Sequence, residues 1–423
     1  MSQWYIATIG TQDRNPISST STIAPAHETS SKETQLSISS LLSKIYMKLP
    51  HHGSRSVELD FIRGVAILLV MGVHFQTVPT DNLLFRFLQY PGQTFGGVGV
   101  DLFFVLSGFL VGGLLMKEYK SQNSLDVRRF ILRRGMKIWP AYYFFLLMEV
   151  VTHAHPLKTF LWQNLLHVQN YTGSTIRHSW SLAVEEHFYL ALAFGMGWMV
   201  TRHWPPARIL KLLLTVMAVV LVTRSISYFL IGASAAFEQT HNRIDSLVCG
   251  VSLALVYHFF PETFRALSRF KSILIAVTAV VVLFLCTVQA PVIRNTVGFT
   301  IIYIGAAAFL LLAYSHSSRI RGWIPYRIVA TIGVYSYGIY LYHNSVRNPC
   351  MALAKHFPAA WQWPVLMLLQ YSSAIVLGAV VTRIVEWPFL RYRDRILPQR
   401  VGDIGSPKKV TVEAGAVQLK SVP

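Results

Sequence analysis

The chain alternates between long apolar segments and shorter polar segments that carry most of its charge, and this block pattern dominates the sequence. Ten mostly apolar segments of about 15 to 25 residues can be separated. A helix rises 1.5 Å per residue, so about 20 such residues cross the ~30 Å hydrocarbon core of a bilayer. The pattern therefore predicts an all-α polytopic membrane protein with about ten transmembrane helices. The predicted segments are 59–78, 96–115, 138–152, 179–200, 209–231, 244–260, 272–290, 297–315, 327–346 and 362–386.

The basic residues outside these segments fall alternately on two sides of the predicted membrane. The side that carries both termini holds 28 Lys and Arg residues, whereas the opposite side holds 7. Short cytoplasmic loops carry the excess of Lys and Arg in membrane proteins, so both termini are predicted to be cytoplasmic. Residues 1–55 and 397–423 are polar and aperiodic, which predicts disordered tails around a membrane domain of residues 56–396. The basic C-terminal tail is expected to touch anionic lipid.

The composition narrows the class of protein and of partner. Of 423 residues, 53% are hydrophobic and 13% are charged, about half the charged fraction of a soluble protein. The net charge of +19 lies in loops and tails, so membrane lipid is expected as a partner and nucleic acid is not. Cys249, Cys286 and Cys350 are isolated, so neither a disulfide framework nor a metal site is predicted.

The first apolar segment carries Asp60, Arg63 and His74. A charged group at that depth costs about 2.5–3.5 kcal/mol and usually faces a protein interior or a wet cavity. Eleven residues separate Arg63 from His74, which places both on one helical face about 16 Å apart. This spacing favours a functional polar track with His74 as a base near the outer side. The alternative is a structural histidine that is hydrogen-bonded to a neighbouring helix.

Two further stretches are candidates for binding a donor molecule from the cytoplasmic side. The loop before the third segment carries a dense group of cations, whose guanidinium forks match phosphate oxygens. Topology and lipid headgroups are the alternative explanation for this group. The second segment is rich in glycine around Ser107, and this pattern suits either close helix packing or a thin ligand chain lying against the backbone. The cations are Arg128, Arg129, Arg133, Arg134 and Lys137.

The fourth segment opens with Trp180 and the adjacent carboxylates Glu185 and Glu186, at a depth comparable with that of His74. A carboxylate beside an imidazole fixes its tautomer and raises its basicity, although helix capping alone would explain one glutamate. Further polar residues near the outer ends of later segments are candidates for contacting a substrate. The tyrosines that precede His343 are also explained by an interfacial aromatic belt. These candidates are Arg243, Asp245 and His343.

Seven sequence blocks follow one another along the chain: LDFIRGVAILLVMGVHF, GVDLFFVLSGFL, FILRRGMKIWPAYY, HSWSLAVEEHFYL, NRIDSLVCG, YSYGIYLYH and VEWPF. In this order they resemble the acyltransferase 3 family of integral membrane O-acyltransferases, and the similarity covers about Glu58 to Arg395. The resemblance implies a ten-helix domain that takes acetyl-CoA or another acyl-CoA from the cytoplasm and modifies glycans. The family's motifs fall on Arg63 and His74, on Ser107, on Arg134 and Lys137, and on Trp180 and Glu185. Lys137 replaces the usual second Arg of its motif, and His187 stands where Gln is commoner.

The residues and the resemblance together predict an acyl-CoA-dependent O-acetyltransferase, most simply in a bacterial inner membrane. We expect His74 to take the proton of a glycan or glycolipid hydroxyl, oriented by Glu185 or Glu186 and assisted by Arg63. Direct transfer and an acyl-histidine intermediate both fit, and a partner protein is expected if the acceptor is remote. The alternative functions are a secondary transporter of a small anionic substrate and a non-catalytic sensor. The expected donor-binding residues are Ser107, Arg133, Arg134 and Lys137, and the expected acceptor-binding residues are Trp180, Arg243, Asp245 and His343.

Overall fold

A computed structural model describes residues 56–75, 77–78, 80–152, 157–173, 176–316 and 319–398. The predicted N-terminal tail, and the predicted C-terminal tail beyond Pro398, lie outside the described residues. The described part of the chain is all-helical. Its α-helices are α1 Val57–His74, α2 Leu83–Phe95, α3 Val98–Gln122, α4 Val127–Thr152, α5 Leu157–Leu165, α6 Gln169–Thr172, α7 Trp180–Thr201, α8 Pro206–Leu230, α9 Ala233–Glu238, α10 Ile244–Phe259, α11 Pro261–Arg269, α12 Lys271–Thr287, α13 Pro291–Asn295, α14 Val297–His316, α15 Ile324–Val334, α16 Ser336–Tyr342, α17 Arg347–Ala354, α18 Ala359–Val381 and α19 Trp387–Ile396.

Each of the ten predicted apolar segments contains helix in the structure. Four helices are long and apolar enough to cross a membrane: α3, α8, α14 and the continuous helix of residues 359–396, in which a π-helical turn at Thr382–Glu386 joins α18 to α19. A fifth span results if α10 and α11, which meet at a 116° bend, are counted together. The structure thus shows an all-helical membrane protein. That the chain crosses the membrane about ten times, with both termini in the cytoplasm, stays a prediction.

Three predicted spans differ from the structure next to polar residues. Helix α4 begins at Val127, eleven residues before the predicted start of the third span, so the cations that were predicted in a loop lie on a helix. Helix α1 has Glu58, Asp60 and Arg63 within its first two turns and ends at His74, four residues before the predicted end. The ninth predicted segment is divided at Tyr335 into α15 and α16. A helix that ends or breaks inside an apolar region exposes backbone groups, and such irregular backbone is tolerated where it is buried in protein or lines a cavity.

Close glycine crossings hold α1 and α3 in place. A Cβ atom on Gly108 of α3 would overlap the carbonyl oxygen of Leu247 on α10, and one on Gly64 of α1 would overlap the carbonyl oxygen of Val329 on α15. Small residues let helix backbones approach to van der Waals contact, which is the main source of helix association in a bilayer. Helix α1 also packs against α3, where Gly99 meets the backbone of Ala66. These crossings fix α1 between α3 and α15.

Candidate active site

A cavity of about 410 Å³ runs between α1, α3, α4, α7, the α15–α16 pair and α19. Its lining residues recur along one face of α3 from Val100 to Glu118. Eighteen residues of helix correspond to about 27 Å, so the cavity is a long passage that follows most of α3. Such a shape suits an extended ligand with one end held at each end of the passage.

One end of this passage is strongly cationic. Seven cationic side chains line the cavity against three carboxylates. The predicted donor-binding residues Ser107, Arg133, Arg134 and Lys137 are all among the lining residues, and so is Arg63, which pairs with Asp60 on its own helix. The structure therefore brings these residues, which lie on three helices, to one cavity. The lining cations are Arg63, Lys117, Arg129, Arg133, Arg134, Lys137 and Arg393, and the carboxylates are Glu118, Glu185 and Glu386.

A chain of hydroxyl groups crosses the middle of the cavity. Tyr189 donates a hydrogen bond from its hydroxyl to Glu185 Oε2 at 2.9 Å, and the Ser107 hydroxyl in turn bonds to Tyr189. The guanidinium of Arg134 lies 5.8 Å from the centre of the Tyr189 ring. Tyr189 was not among the sequence candidates, although it lies four residues after Glu185 and therefore on the same helical face.

The two adjacent glutamates have different partners. Glu185 faces the cavity and bonds to Tyr189, whereas Glu186 accepts a hydrogen bond from Trp139 Nε1 at 3.2 Å. Among the described residues, neither glutamate is hydrogen-bonded to His74. The geometry thus indicates that a different residue orients His74. A catalytic role of Glu185 or Glu186 stays a prediction.

The end of the passage nearest the histidines is lined by Phe103, Ser181 and Tyr340. The Tyr340 hydroxyl accepts a hydrogen bond from Ser181 and donates one to the carbonyl oxygen of His178 at 2.8 Å. Its ring centre lies 5.8 Å from the ring centres of both His178 and His343. Tyr340 therefore lies between the cavity, which it lines, and the rings of His178 and His343.

The hydrogen-bond partners of His343 and His74 assign their tautomers. His343 Nδ1 lies 2.7 Å from the carbonyl oxygen of Tyr340 and must carry a proton, so the neutral ring leaves Nε2 as an acceptor. His74 Nδ1 lies 3.1 Å from that acceptor and 3.0 Å from the carbonyl oxygen of Val70, so it carries the proton that both share. This assignment, inferred from the bonding partners, leaves His74 Nε2 with a free lone pair. Proton abstraction requires that lone pair.

The histidine pair is buried unequally. His343 is fully buried, while His74 at the end of α1 is partly exposed. A third histidine, His178, lies with its ring centre 5.0 Å from that of His343, and its Nδ1 bonds to Asn344 Nδ2 at 2.9 Å. The sequence did not single out His178 or Asn344, because their proximity to His74 arises only from tertiary packing.

The remaining predicted acceptor-binding residues lie in a separate buried cluster. Arg243 pairs with Asp101 at 2.8 Å, and Asp245 pairs with Arg224 at 2.6 Å. The guanidinium of Arg243 also lies 5.4 Å from the centre of the Trp180 ring. These four charged side chains are at most 1% exposed and form ion pairs inside the protein, while Arg243 Nε and Nη1 have no hydrogen-bond partner among the described residues. This geometry favours a role in joining α3, α8 and α10, and only His343 of the four candidates lies beside His74.

The chain is similar to one protein family over most of its membrane part. The family model described as "Acyltransferase domain" matches residues 56–384, a range that contains most of the cavity-lining residues and the histidine pair. The chain belongs to the acyltransferase 3 family. No solved structure matches it.

Several curated members of the family resemble the chain along most of its length. It is 28% identical over 393 residues to the putative peptidoglycan O-acetyltransferase YrhL of Bacillus subtilis, covering 84% of this chain and 58% of that protein. It is 24% identical over 369 residues to the peptidoglycan O-acetyltransferase OatA of Listeria monocytogenes, covering 78% and 55%. It is 25% identical over 323 residues to the O-acetyltransferase OatA of Staphylococcus aureus, covering 69% and 52%. The chain thus spans about half the length of these relatives.

Proposed function

We propose that this protein is a membrane-bound O-acyltransferase that moves an acyl group, acetyl in the simplest case, from acyl-CoA to a hydroxyl group of a glycan. The observation that carries the proposal is a long cavity that is cationic at one end and stops, at the other, one side chain short of a hydrogen-bonded histidine pair. A donor with a phosphorylated head and a thin thioester arm matches both the length and the charge of this passage.

The cationic end supports binding of the donor head group. Arg133, Arg134 and Lys137 follow one another along the cavity-facing side of α4. Arginine binds phosphate oxygens through two parallel hydrogen bonds, while lysine contributes a compact positive charge. Arg133 also bonds to Asp394 at 3.1 Å, so α19 fixes that guanidinium beside the cavity entrance. The pantetheine arm would pass Ser107 towards Tyr340.

The histidine pair supports general-base catalysis. In the proposed reaction, His74 Nε2 takes the proton of the acceptor hydroxyl while the oxygen of that hydroxyl attacks the thioester carbonyl carbon. The new C–O bond replaces the C–S bond, and the CoA thiolate leaves and takes up a proton. The charged imidazole then keeps its Nδ1–H directed at His343 Nε2 and the carbonyl oxygen of Val70. Because this hydrogen bond strengthens as the charge develops, it stabilises the transition state more than the ground state.

The curated relatives support a glycan as acceptor, since two of them carry peptidoglycan in their names. We place the cationic end in the cytoplasm, where acyl-CoA is made, and His74 towards the outer side of the inner membrane of a bacterium. This placement follows the distribution of Lys and Arg and the ten predicted spans. Transfer to a glycan beyond the membrane surface would use a lipid-linked acceptor or a partner protein. Family membership and these relatives favour acyl transfer over transport of an anion.

Acetyl-CoA turnover by the purified, reconstituted protein tests the proposal. Free thiol is measured with a peptidoglycan disaccharide as acceptor, for the natural protein, His74→Ala and His356→Ala, which changes an exposed histidine. We expect thiol release by the natural protein and by His356→Ala, and a loss of about 10²- to 10⁴-fold in His74→Ala. Equal release from all three would remove His74 as the base. Absence of both thiol release and acetyl-CoA binding would refute the proposal as a whole.

A further inference from the structure

Arg347, the first residue of α17, follows His343 by four residues, and no described carboxylate forms an ion pair with its guanidinium. Its backbone N–H donates to the carbonyl oxygen of Asn344 at 3.2 Å, and the Asn344 amide in turn bonds to His178, whose ring centre lies 5.0 Å from that of His343. The Arg347 side chain is only partly exposed, and its Nε is buried with no hydrogen-bond partner among the described residues. The Glu149 carboxylate, on neighbouring α4, accepts a hydrogen bond from Ser345 instead. Arginine stays charged at any physiological pH, so burying part of it without a carboxylate is costly.

Two more buried polar atoms close to His343 have no hydrogen-bond partner among the described residues. Asn344 donates from Nδ2 to His178, but its Oδ1 has no such partner, and neither has the Tyr342 hydroxyl at the end of α16. Buried polar groups are nearly always hydrogen-bonded, so a group of unpaired ones needs an explanation. Because these atoms lie on both sides of His343, within residues 342–347, a ligand at this place is the simplest explanation. A hydroxyl-rich molecule would supply a donor to Asn344 and a further hydrogen bond to Tyr342.

The charge of Arg347 adds a requirement for the chemistry of that ligand. The predicted outer side of the chain carries only seven Lys and Arg residues, and one of them follows His343, the hydrogen-bond partner of the proposed base, by four residues. An arginine fork matches a carboxylate through two parallel hydrogen bonds. We propose that Arg347 and Asn344 form an acceptor subsite that selects glycans bearing a carboxylate close to the reacting hydroxyl. The inference rests on the proposed function, because it takes the glycan as the second substrate of His74.

Binding of two matched glycans, without any donor, tests the subsite directly. The probes are the disaccharide of N-acetylglucosamine and N-acetylmuramic acid and the same disaccharide with its lactyl carboxylate converted to an amide. Affinities are measured for the full-length protein, Arg347→Gln, Arg347→Lys and Lys355→Gln. Lys355 is exposed at the other end of α17, so its substitution removes one charge from the same helix without touching the turn.

We expect the natural protein and Lys355→Gln to bind the acid at least tenfold more tightly than the amide. Arg347→Gln should lose that preference by weakening acid binding alone, and Arg347→Lys should keep part of it, because it retains the charge without the fork. Equal affinity for the two probes in the natural protein, or an unchanged preference in Arg347→Gln, would overturn the subsite. No measurable binding of either probe would also overturn it.

Thiol release from acetyl-CoA separates this inference from the proposed function. Release with both acceptors at equal kcat/KM would leave the acyltransferase standing and remove the subsite. Carboxylate-selective binding with neither thiol release nor acetyl-CoA binding would support the subsite as a glycan site and remove acyl transfer. Turnover that prefers the acid, with the preference lost in Arg347→Gln through a higher KM and little change in kcat, supports both.

Discussion

Replacing His343 with asparagine isolates the hydrogen bond that reaches His74. The amide group of asparagine takes the place of imidazole Nδ1, so it still donates to the carbonyl oxygen of Tyr340. The acceptor 3.1 Å from His74 Nδ1 is lost, in a place where His343 is fully buried and water cannot easily replace it. A hydrogen bond to a charged group contributes about 1.5–3 kcal/mol. At about 1.4 kcal/mol per factor of ten, we expect kcat to fall about 10- to 150-fold.

His343→Gln is the matched control, because its longer amide group reaches the former position of Nε2. We expect it to retain more activity than His343→Asn. The assay is thiol release at saturating acetyl-CoA and acceptor, with thermal unfolding measured on the same samples. If folded His343→Asn keeps its kcat within twofold, His343 does not orient the base. If KM for the acceptor rises and kcat stays unchanged, His343 binds the substrate instead, as the sequence alone predicted.

Three further predictions test the donor end and the scaffold. Arg134→Gln should weaken acetyl-CoA binding about tenfold or more by calorimetry, with a smaller loss at high salt, whereas exposed Lys211→Gln should not. Gly108→Ala should cost about 1–3 kcal/mol, seen as a lower melting temperature, because the added Cβ meets a backbone carbonyl, while Gly97→Ala meets nothing within 4 Å. Asp245→Asn should cost about 3–5 kcal/mol by leaving a buried arginine unpaired.

Each of these three predictions has a result that contradicts it. Unchanged acetyl-CoA affinity in Arg134→Gln would place the donor phosphates elsewhere in the cavity. Equal melting temperatures of the two glycine variants would mean that the crossing of α3 and α10 relaxes easily. A fully stable Asp245→Asn that fails only in acceptor turnover would return that residue to the acceptor site, where the sequence predicted it.

The sequence predicted the helical regions well, because long apolar blocks have few other structures available in a membrane. It predicted some helix ends and not others. The 116° bend after α10 falls at the predicted end of the sixth segment, where Pro261 interrupts the backbone hydrogen bonds. The division at Tyr335 has no proline to signal it, and the end of α1 at His74 and Phe75 lies against two residues distant in the chain, His343 after α16 and Tyr371 of α18.

The donor side of the site was accessible to sequence reasoning because its cations are dense in the sequence. Arg133, Arg134 and Lys137 were predicted as a cationic loop, and the structure places them on α4, where they line the cavity. The partner of His74 was not accessible, since 269 residues separate it from His343. Arg243 illustrates the opposite case: its position beside a predicted span suggested a ligand contact, but an internal carboxylate occupies it. Charge at a helix end does not by itself distinguish an exposed contact from an internal pair.

A passage of this length through a membrane protein also raises the question of what keeps the membrane sealed. Tyr340 bonds to Ser181 and to the carbonyl oxygen of His178, and its ring packs edge-on against Phe103 at 6.3 Å between centres. On the proposed orientation, Tyr340 lies between the cytoplasmic passage, which it lines, and His343, the partner of His74. The same side chains that limit how far a donor enters would therefore also limit the leak of ions through the site. An acyl group could then be transferred across the membrane while the ion gradients of the cell are preserved.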